Sequence, residues 1–260
     1  MFKKGGFIAA TIFWFEKRSL QAASRILTDT VCNSQYLEKL FSLPRMKLQA
    51  IPLATDENNY IPVSYKDNGD ICTVLFIGTF VPLHGVETVA KAALLLSDNE
   101  RIRFRIFGNG QTATSVREIL DGKKCNLEWR KEWTDPALLA KEVEKADICL
   151  GIFGTTKKAS RVWPLKNYTA MRVGRVVINR DSKCIPGWGG DTQNLPICLV
   201  PAGDAAALAK KLTHLAKNYK QRKKLADAGK RYYHNYLSNA KILDALHQTM
   251  SVLIHTKFPY

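Results

Sequence analysis

Four cations gather in one short stretch of this chain. Between Gly151 and Asn179 the sequence reads GIFGTTKKASRVWPLKNYTAMRVGRVVIN, with Lys157, Lys158, Arg161 and Lys166 around Pro164. Proline is well tolerated in the first turn of a helix, where the backbone N–H groups have no partner inside the helix. The spacing therefore predicts an apolar strand, a basic loop, a helix opened by Pro164 and a second apolar strand. Unpaired amides and the positive end of a helix dipole make a ready anion site. Cations and amides converging on one loop suit a doubly charged ligand such as a diphosphate; a solvated basic loop is the plain alternative.

Two further loops carry related chemistry. Gly78-Thr79-Phe80-Val81-Pro82-Leu83-His84-Gly85 joins an apolar run to a helix. A glycine at the helix start lets a ligand approach the backbone, and His84 could donate a hydrogen bond to a phosphate; a structural strand–helix turn is the alternative. Gly108-Asn109-Gly110 also follows a strand, but that arrangement is common and no neighbouring spacing completes a dinucleotide fingerprint. Trp129, Arg130 and Lys131 end a strand, where Trp129 either faces a nucleobase or packs in the core. Tyr168 reads as helix packing. The segment from Lys217 to Tyr236 reads as a solvated amphipathic helix, with a membrane-facing surface as the alternative. No Ser/His/Asp arrangement or metal-ligand cluster stands out.

Regular alternation positions these loops. Ile71 to Ile77 is a continuous apolar run, typical of a strand buried on both faces. Strands are expected also at Ile102–Phe107, Leu127–Arg130, Asp147–Phe153, Arg175–Asn179 and Pro196–Val200. Helices are expected at Val86–Leu96, Ala113–Leu120 and Pro136–Glu144, with a helical C-terminus from Asp204. This pattern means βαβ units in an α/β fold with a doubly wound, mainly parallel sheet. Ligands of such sheets bind outside the carboxyl ends of the strands, where all three loops fall. Upstream, Lys17–Ser24 reads as a helix and Arg25–Thr28 as a strand. A helix capped by Asn33 or Ser34 then runs to Phe41, where Pro44 stops it. Leu48–Leu53 is strand-like, and the polar, turn-rich stretch Ala54–Asp70 reads as a linker.

Composition narrows the partners. The 260 residues are 46% hydrophobic, ample for a packed core, and carry a formal net charge of +16. Such a charge attracts nucleotides, phospholipid surfaces or nucleic acid without choosing among them. Nucleic acid is disfavoured, because no recognised binding signature accompanies the charge. Cys32, Cys72, Cys125, Cys149, Cys184 and Cys198 are scattered, with no close pair at metal-ligand spacing. That pattern fits free thiols in a reducing cytosol. Lys3 and Lys4 precede the apolar run Phe7–Phe15, but Glu16, Lys17 and Arg18 follow it instead of a small-residue cleavage site. The run falls short of the roughly 20 residues that span a bilayer, so a buried helix or an interfacial segment is expected.

Five stretches together carry a resemblance: IGTFVPLHGVETVAKAA, FRIFGNGQ, ADICLGIFG, RVWPLKNYTAMRVGRVVI and LADAGKRYYHNYLS. In this order and spacing they make the chain, from about Glu16 to Leu237, resemble the nucleotide-sugar glycosyltransferases of family 4 (group 1), which adopt the two-domain GT-B architecture. The match is to the C-terminal, donor-binding half. It implies three parts: residues 1–60 as a remnant of the acceptor domain with the crossing segment, 61–237 as a Rossmann-like nucleotide-sugar-binding domain, and 238–260 as a C-terminal helix. On this resemblance, most of the acceptor domain would be missing from the chain.

The resemblance implies transfer of a sugar from a nucleoside diphosphate sugar to a glycan or lipid-linked acceptor, usually with retention of configuration. The setting would be the cytoplasm, with peripheral contact at the inner membrane face as an option. The donor is a substrate, and no cofactor or obligatory metal is implied. Arg161, Lys166 and the backbone near Gly85 and Asn167 would hold the diphosphate. Gly108 and Gly110 would border the nucleotide, and Gly78 and His84 of the first loop would belong to the same substrate-binding site. The family's paired glutamates, one toward the donor sugar and one toward the ribose, align with Arg161 and Thr169. An Arg and a Lys frequent in the first loop align with Thr79 and His84. Thr169 would be a weakened ribose contact. A non-catalytic or split-enzyme nucleotide-binding module, acting with a separate acceptor-domain chain, is the competing reading. An epimerase of the same fold is a third, without matching acid/base carboxylates.

Overall fold

Residues 6–66, 69–187 and 195–257 are described by the structure, a computed structural model. The chain opens with α1 (Phe7–Ala22), β1 (Ile26–Thr28), α2 (Val31–Phe41) and β2 (Leu48–Ala50). β1 and β2 pair in parallel, Ile26 opposite Leu48. The cap of α2 is Thr30, whose hydroxyl accepts from the Asn33 amide at 3.2 Å, in place of the Asn33 or Ser34 expected from sequence. The helix ends at Ser42 in the left-handed conformation, two residues before Pro44.

The apolar N-terminal run and Lys17–Ala22 form one helix, and α1 buries none of its residues. This corrects the expectation of a buried helix. Phe7 is 88% exposed and Phe15 61%. Phe13 stacks on Phe41 at 4.9 Å, and Trp14 meets Phe15 of the same helix edge-on at 5.0 Å.

The main body is a six-stranded sheet in the order β5-β4-β3-β6-β7-β8. Its strands are β3 (Cys72–Ile77), β4 (Ile102–Phe107), β5 (Leu127–Arg130), β6 (Ile148–Leu150), β7 (Val176–Arg180) and β8 (Cys198–Val200), each paired in parallel with its neighbours. Val74, Leu75 and Phe76 of β3 are all buried, as a central strand covered on both faces requires. One face carries α3 (Val86–Leu95), α4 (Ala113–Leu120) and α7 (Ala205–Ala216). The other carries α5 (Pro136–Lys145), α6 (Leu165–Val173) and α8 (Tyr219–Tyr232). The expected doubly wound sheet is thus present, with β6 shorter than the apolar run around it.

Residues 51–66 do not form a free linker. Tyr65 is buried; it donates to Asp147 Oδ1 at 3.1 Å and accepts from Arg222 Nε at 2.8 Å. Glu57 accepts from the Tyr233 hydroxyl at 2.7 Å and pairs with Arg172 at 3.4 Å. The polar composition that suggests a linker is spent on these fixed contacts. After α8 a π-helical turn, Tyr233–Leu237, leads into α9 (Asn239–Lys257), which returns to the N-terminal elements. There Thr249 donates to Gln49 Oε1 at 2.8 Å.

Cys32 and Cys184 form a disulfide across 152 residues of sequence, which corrects the expectation of six free thiols. Their separation hides the pair from any spacing rule. No helix among the described residues is long and apolar enough to cross a membrane.

Candidate functional site

Strand order reverses at β3, which has β4 on one side and β6 on the other. Loops leaving β3 and β6 therefore diverge to opposite faces and open a crevice between them, the usual ligand position in such sheets. Backbone hydrogen bonds tie the two loops together: the Phe153 N–H donates to His84 O at 2.9 Å and the Gly154 N–H to Leu83 O at 3.2 Å. Gly85 sits at φ +62°, and a Cβ there would lie 2.4 Å from Gly154 N. Only glycine fits that left-handed position under a neighbouring backbone. A Cβ on Gly108 would lie 2.0 Å from Gly78 O, so the loops after β3 and β4 also touch backbone to backbone. Gly110 lies against Phe80 in the same way.

Lys166, on the first turn of α6, turns its ammonium under the β3 loop. Nζ lies 2.8 Å, and His84 Nδ1 3.2 Å, from the point where a Cβ on Gly78 would stand. Although the Lys166 stem is partly exposed, Nζ is buried and has no hydrogen-bond partner among the described residues. Burial lowers its pKa to about 7.

His84 departs from its expected role. Its Nδ1 meets the Thr79 carbonyl, an acceptor, so the ring proton resides on Nδ1. Burial first, then Lys166, lower its pKa to about 4. The neutral ring thus offers Nε2 as an acceptor, and it cannot donate to a phosphate without first gaining a proton. Asn167 also differs from expectation. Its backbone N–H is taken by Pro164 O at 3.0 Å, and its Nδ2 donates to Asn179 Oδ1 at 3.2 Å. Asn167 braces the helix start against β7.

Two cavities share Ile77 as a wall, and Lys166 lines one of them. One, of about 220 Å³, is lined by Lys166, Thr169, Leu75, Tyr60 and Asp56 among others. Thr169 is buried there and its hydroxyl donates back to Lys166 O at 2.9 Å. The other, of about 370 Å³, is lined by Gly78, Thr79, Gly108, Asn109, Lys131, Trp133 and Leu139 among others. Trp133 is 82% exposed on the rim of this cleft, a residue that sequence reasoning passed over. Trp129 is instead held inward, stacked on Phe80 at 5.2 Å and donating to Gly108 O at 2.8 Å. Trp129 shares a face of β5 with the half-buried Leu127, whereas Trp133 lies beyond the end of the strand.

Arg161 does not join Lys166. Its guanidinium lies 3.6 Å from the centroid of the Tyr36 ring on α2, and it lines a third cavity together with Arg180, Lys39 and Lys183. Lys157 and Lys158 are exposed. The four cations of the basic segment thus divide, and one ammonium reaches the β3–β6 crevice.

A TarM mutant from S. aureus, in complex with fondaparinux, alpha-GlcNAc-glycerol and UDP, matches with a TM-score of 0.70 at 17% identity, covering 90% of this chain and 45% of that one. Anabaena Alr3699/HepE in complex with UDP matches with a TM-score of 0.74 at 11% identity, over 93% of this chain and 68% of that one. The C-terminal domain of LpcC, a glycosyl transferase group 1 family protein from Francisella tularensis, is covered over its whole length, 100%, by 72% of this chain (TM-score 0.58, 15% identity). The chain thus spans less than half the length of TarM. No curated protein matches it in sequence. The family model for glycosyl transferases group 1 matches residues 71–218, more than half of the chain and all six strands of the main sheet. The chain belongs to the group 1 glycosyltransferases and has the GT-B donor-binding fold of their C-terminal half.

Proposed function

We propose that this chain binds a nucleoside diphosphate sugar in the β3–β6 crevice and presents the sugar for transfer, with retention, to a glycan or lipid-linked acceptor. One observation carries the reading: a buried ammonium, Lys166 Nζ, stands unpaired beneath a glycine loop at the carboxyl edge of the sheet. The diphosphate lies against Lys166, the Gly78 loop and the first turn of α6. The nucleobase enters the cleft under Trp133, and the ribose lies toward Thr169. UDP in the TarM and HepE complexes is consistent with such a donor. As the glycosidic bond breaks, negative charge grows on the diphosphate. A fixed cation and helix dipole stabilise it without reorganising, usually the largest catalytic contribution. No resident cofactor is needed for that step.

A second reading keeps nucleotide binding and drops turnover. It is favoured by Thr169, whose short hydroxyl is already committed to Lys166 O, at the place where the family resemblance implies a ribose-binding carboxylate. Under this reading the chain serves a partner that supplies the acceptor side. Calorimetric titration with UDP, GDP and ADP tests the shared part: at least one binds, and binding to none of them ends the donor-site assignment. Hydrolysis or transfer assays with the bound nucleotide's sugars then separate the two readings.

A further inference from the structure

The third cavity, of about 610 Å³, lies away from Lys166. One wall is α2, with Tyr36 and Lys39; the opposite wall is the end of β7 with the segment after it, through Arg180 and Lys183. Arg161 closes it from the β6–α6 loop. Among the described lining residues four are cations and one, Asp181, is a carboxylate.

Two of these cations are already fixed. Arg161 rests on the Tyr36 ring and donates from Nη1 to Lys157 O at 3.2 Å, while its Nε is buried with no partner among the described residues. Arg180 donates from Nη1 to Gly154 O at 2.8 Å and from Nε to Asp181 O at 3.1 Å. The walls are fixed as well. The Cys32–Cys184 disulfide joins them with Cα atoms 5.7 Å apart, and Thr30 donates to Arg161 O at 2.6 Å. A guanidinium held in place before binding loses little freedom when a ligand arrives. Lys39 and Lys183 add charge at the rim.

We infer that this cleft is an oxyanion site for a phosphate or carboxylate carried by a sugar-like molecule, separate from the nucleotide crevice. A neutral sugar would leave Arg161 Nε unpaired and four cations sharing one carboxylate, Asp181, which pairs with Arg180 at 3.4 Å. A planar or tetrahedral oxyanion satisfies them with short charge-assisted hydrogen bonds. If the donor reading holds, the second substrate of the transfer, the acceptor, brings this negative charge.

Calorimetry with glucose 1-phosphate, glucuronate and glucose tests the site on the full chain, with UDP titrated in parallel. Glucose 1-phosphate or glucuronate binds, and whichever does names the source of the charge; glucose does not bind. Arg161→Gln weakens the acidic probe at least tenfold and leaves UDP within twofold. Lys166→Met does the reverse. Should Arg161→Gln fail to fold, Lys39→Gln on the exposed face of α2 weakens the probe severalfold instead. Absence of binding by both acidic probes while UDP still binds overturns the inference and spares the nucleotide reading. So does displacement of the probe by saturating UDP, which would return Arg161 to the diphosphate. Failure of UDP alone overturns the nucleotide reading and leaves the oxyanion site standing.

Discussion

The Lys166 ammonium stands 3.9 Å from the centroid of the Phe76 ring, buried beneath the loop that begins at Gly78. The ring face returns part of the lost hydration, and the remaining cost appears as a pKa lowered to about 7 from the ordinary 10.5. Between these values the unfolded chain holds more protons than the folded one, so stability rises with pH across that window. Lys166→Met removes the buried charge. It should stabilise the ligand-free protein at pH 6–7 by on the order of a few kcal/mol and flatten the rise toward pH 10. Chemical denaturation at several pH values measures this; equal slopes in the two proteins would mean that Nζ is solvated.

Trp133 contributes little to the fold, being 82% exposed. If the nucleobase enters the cleft that Trp133 rims, as proposed, the indole should stack on the bound base, worth about 1–3 kcal/mol. Trp133→Ala should therefore weaken nucleotide binding roughly tenfold or more while the melting temperature stays within a degree or two. Nucleotide should also quench tryptophan fluorescence in the wild type more than in the variant. Unchanged affinity would place the base elsewhere.

Thr169 lines the small cavity beside Lys166, so a longer acidic side chain has room to reach a ribose. Thr169→Glu should tighten ribonucleotide binding by on the order of 1–3 kcal/mol, as hydrogen bonds to a charged group do. The gain should shrink with 2′-deoxynucleotides. A stably folded variant with unchanged affinity for both would remove Thr169 from the ribose contact.

The exposed apolar face of α1 should bind membranes. Phe7, Ile8, Ile12, Trp14 and Phe15 are all more than half exposed or close to it, from 52% for Ile12 and Trp14 to 88% for Phe7. A basic chain bearing such a helix is drawn to anionic lipid. Co-sedimentation with phosphatidylserine vesicles should retain the protein, less so at high salt or after Phe7→Asp with Phe15→Asp. Indifference to vesicles would contradict this.

Strands buried on both faces were legible because an uninterrupted apolar run such as Cys72–Ile77 admits few other environments. The three loops at the carboxyl edge of the sheet were legible for the same reason, since each follows such a run. Side-chain direction at the site was harder to read. Arg161 and Lys166 are five residues apart in one basic segment, yet Tyr36 on α2 draws one away while the space under Gly78 takes the other. Neither attraction is local in sequence. His84 reads as a donor until its proton is seen committed to Thr79 O. The Cys32–Cys184 bond depends on α2 docking beside the end of β7, which no spacing encodes.

The central claim is that Lys166 holds the diphosphate, and calorimetry at pH 8 in buffers of different ionisation heat tests it most directly. With its pKa near 7 the free ammonium is largely neutral there, and a diphosphate beside it restores the charge. UDP, or whichever nucleoside diphosphate binds best, should take up close to one proton on binding to the wild type and almost none on binding to Lys166→Met. The variant should also bind at least tenfold more weakly. Equal affinity with no proton uptake in either protein would contradict the account.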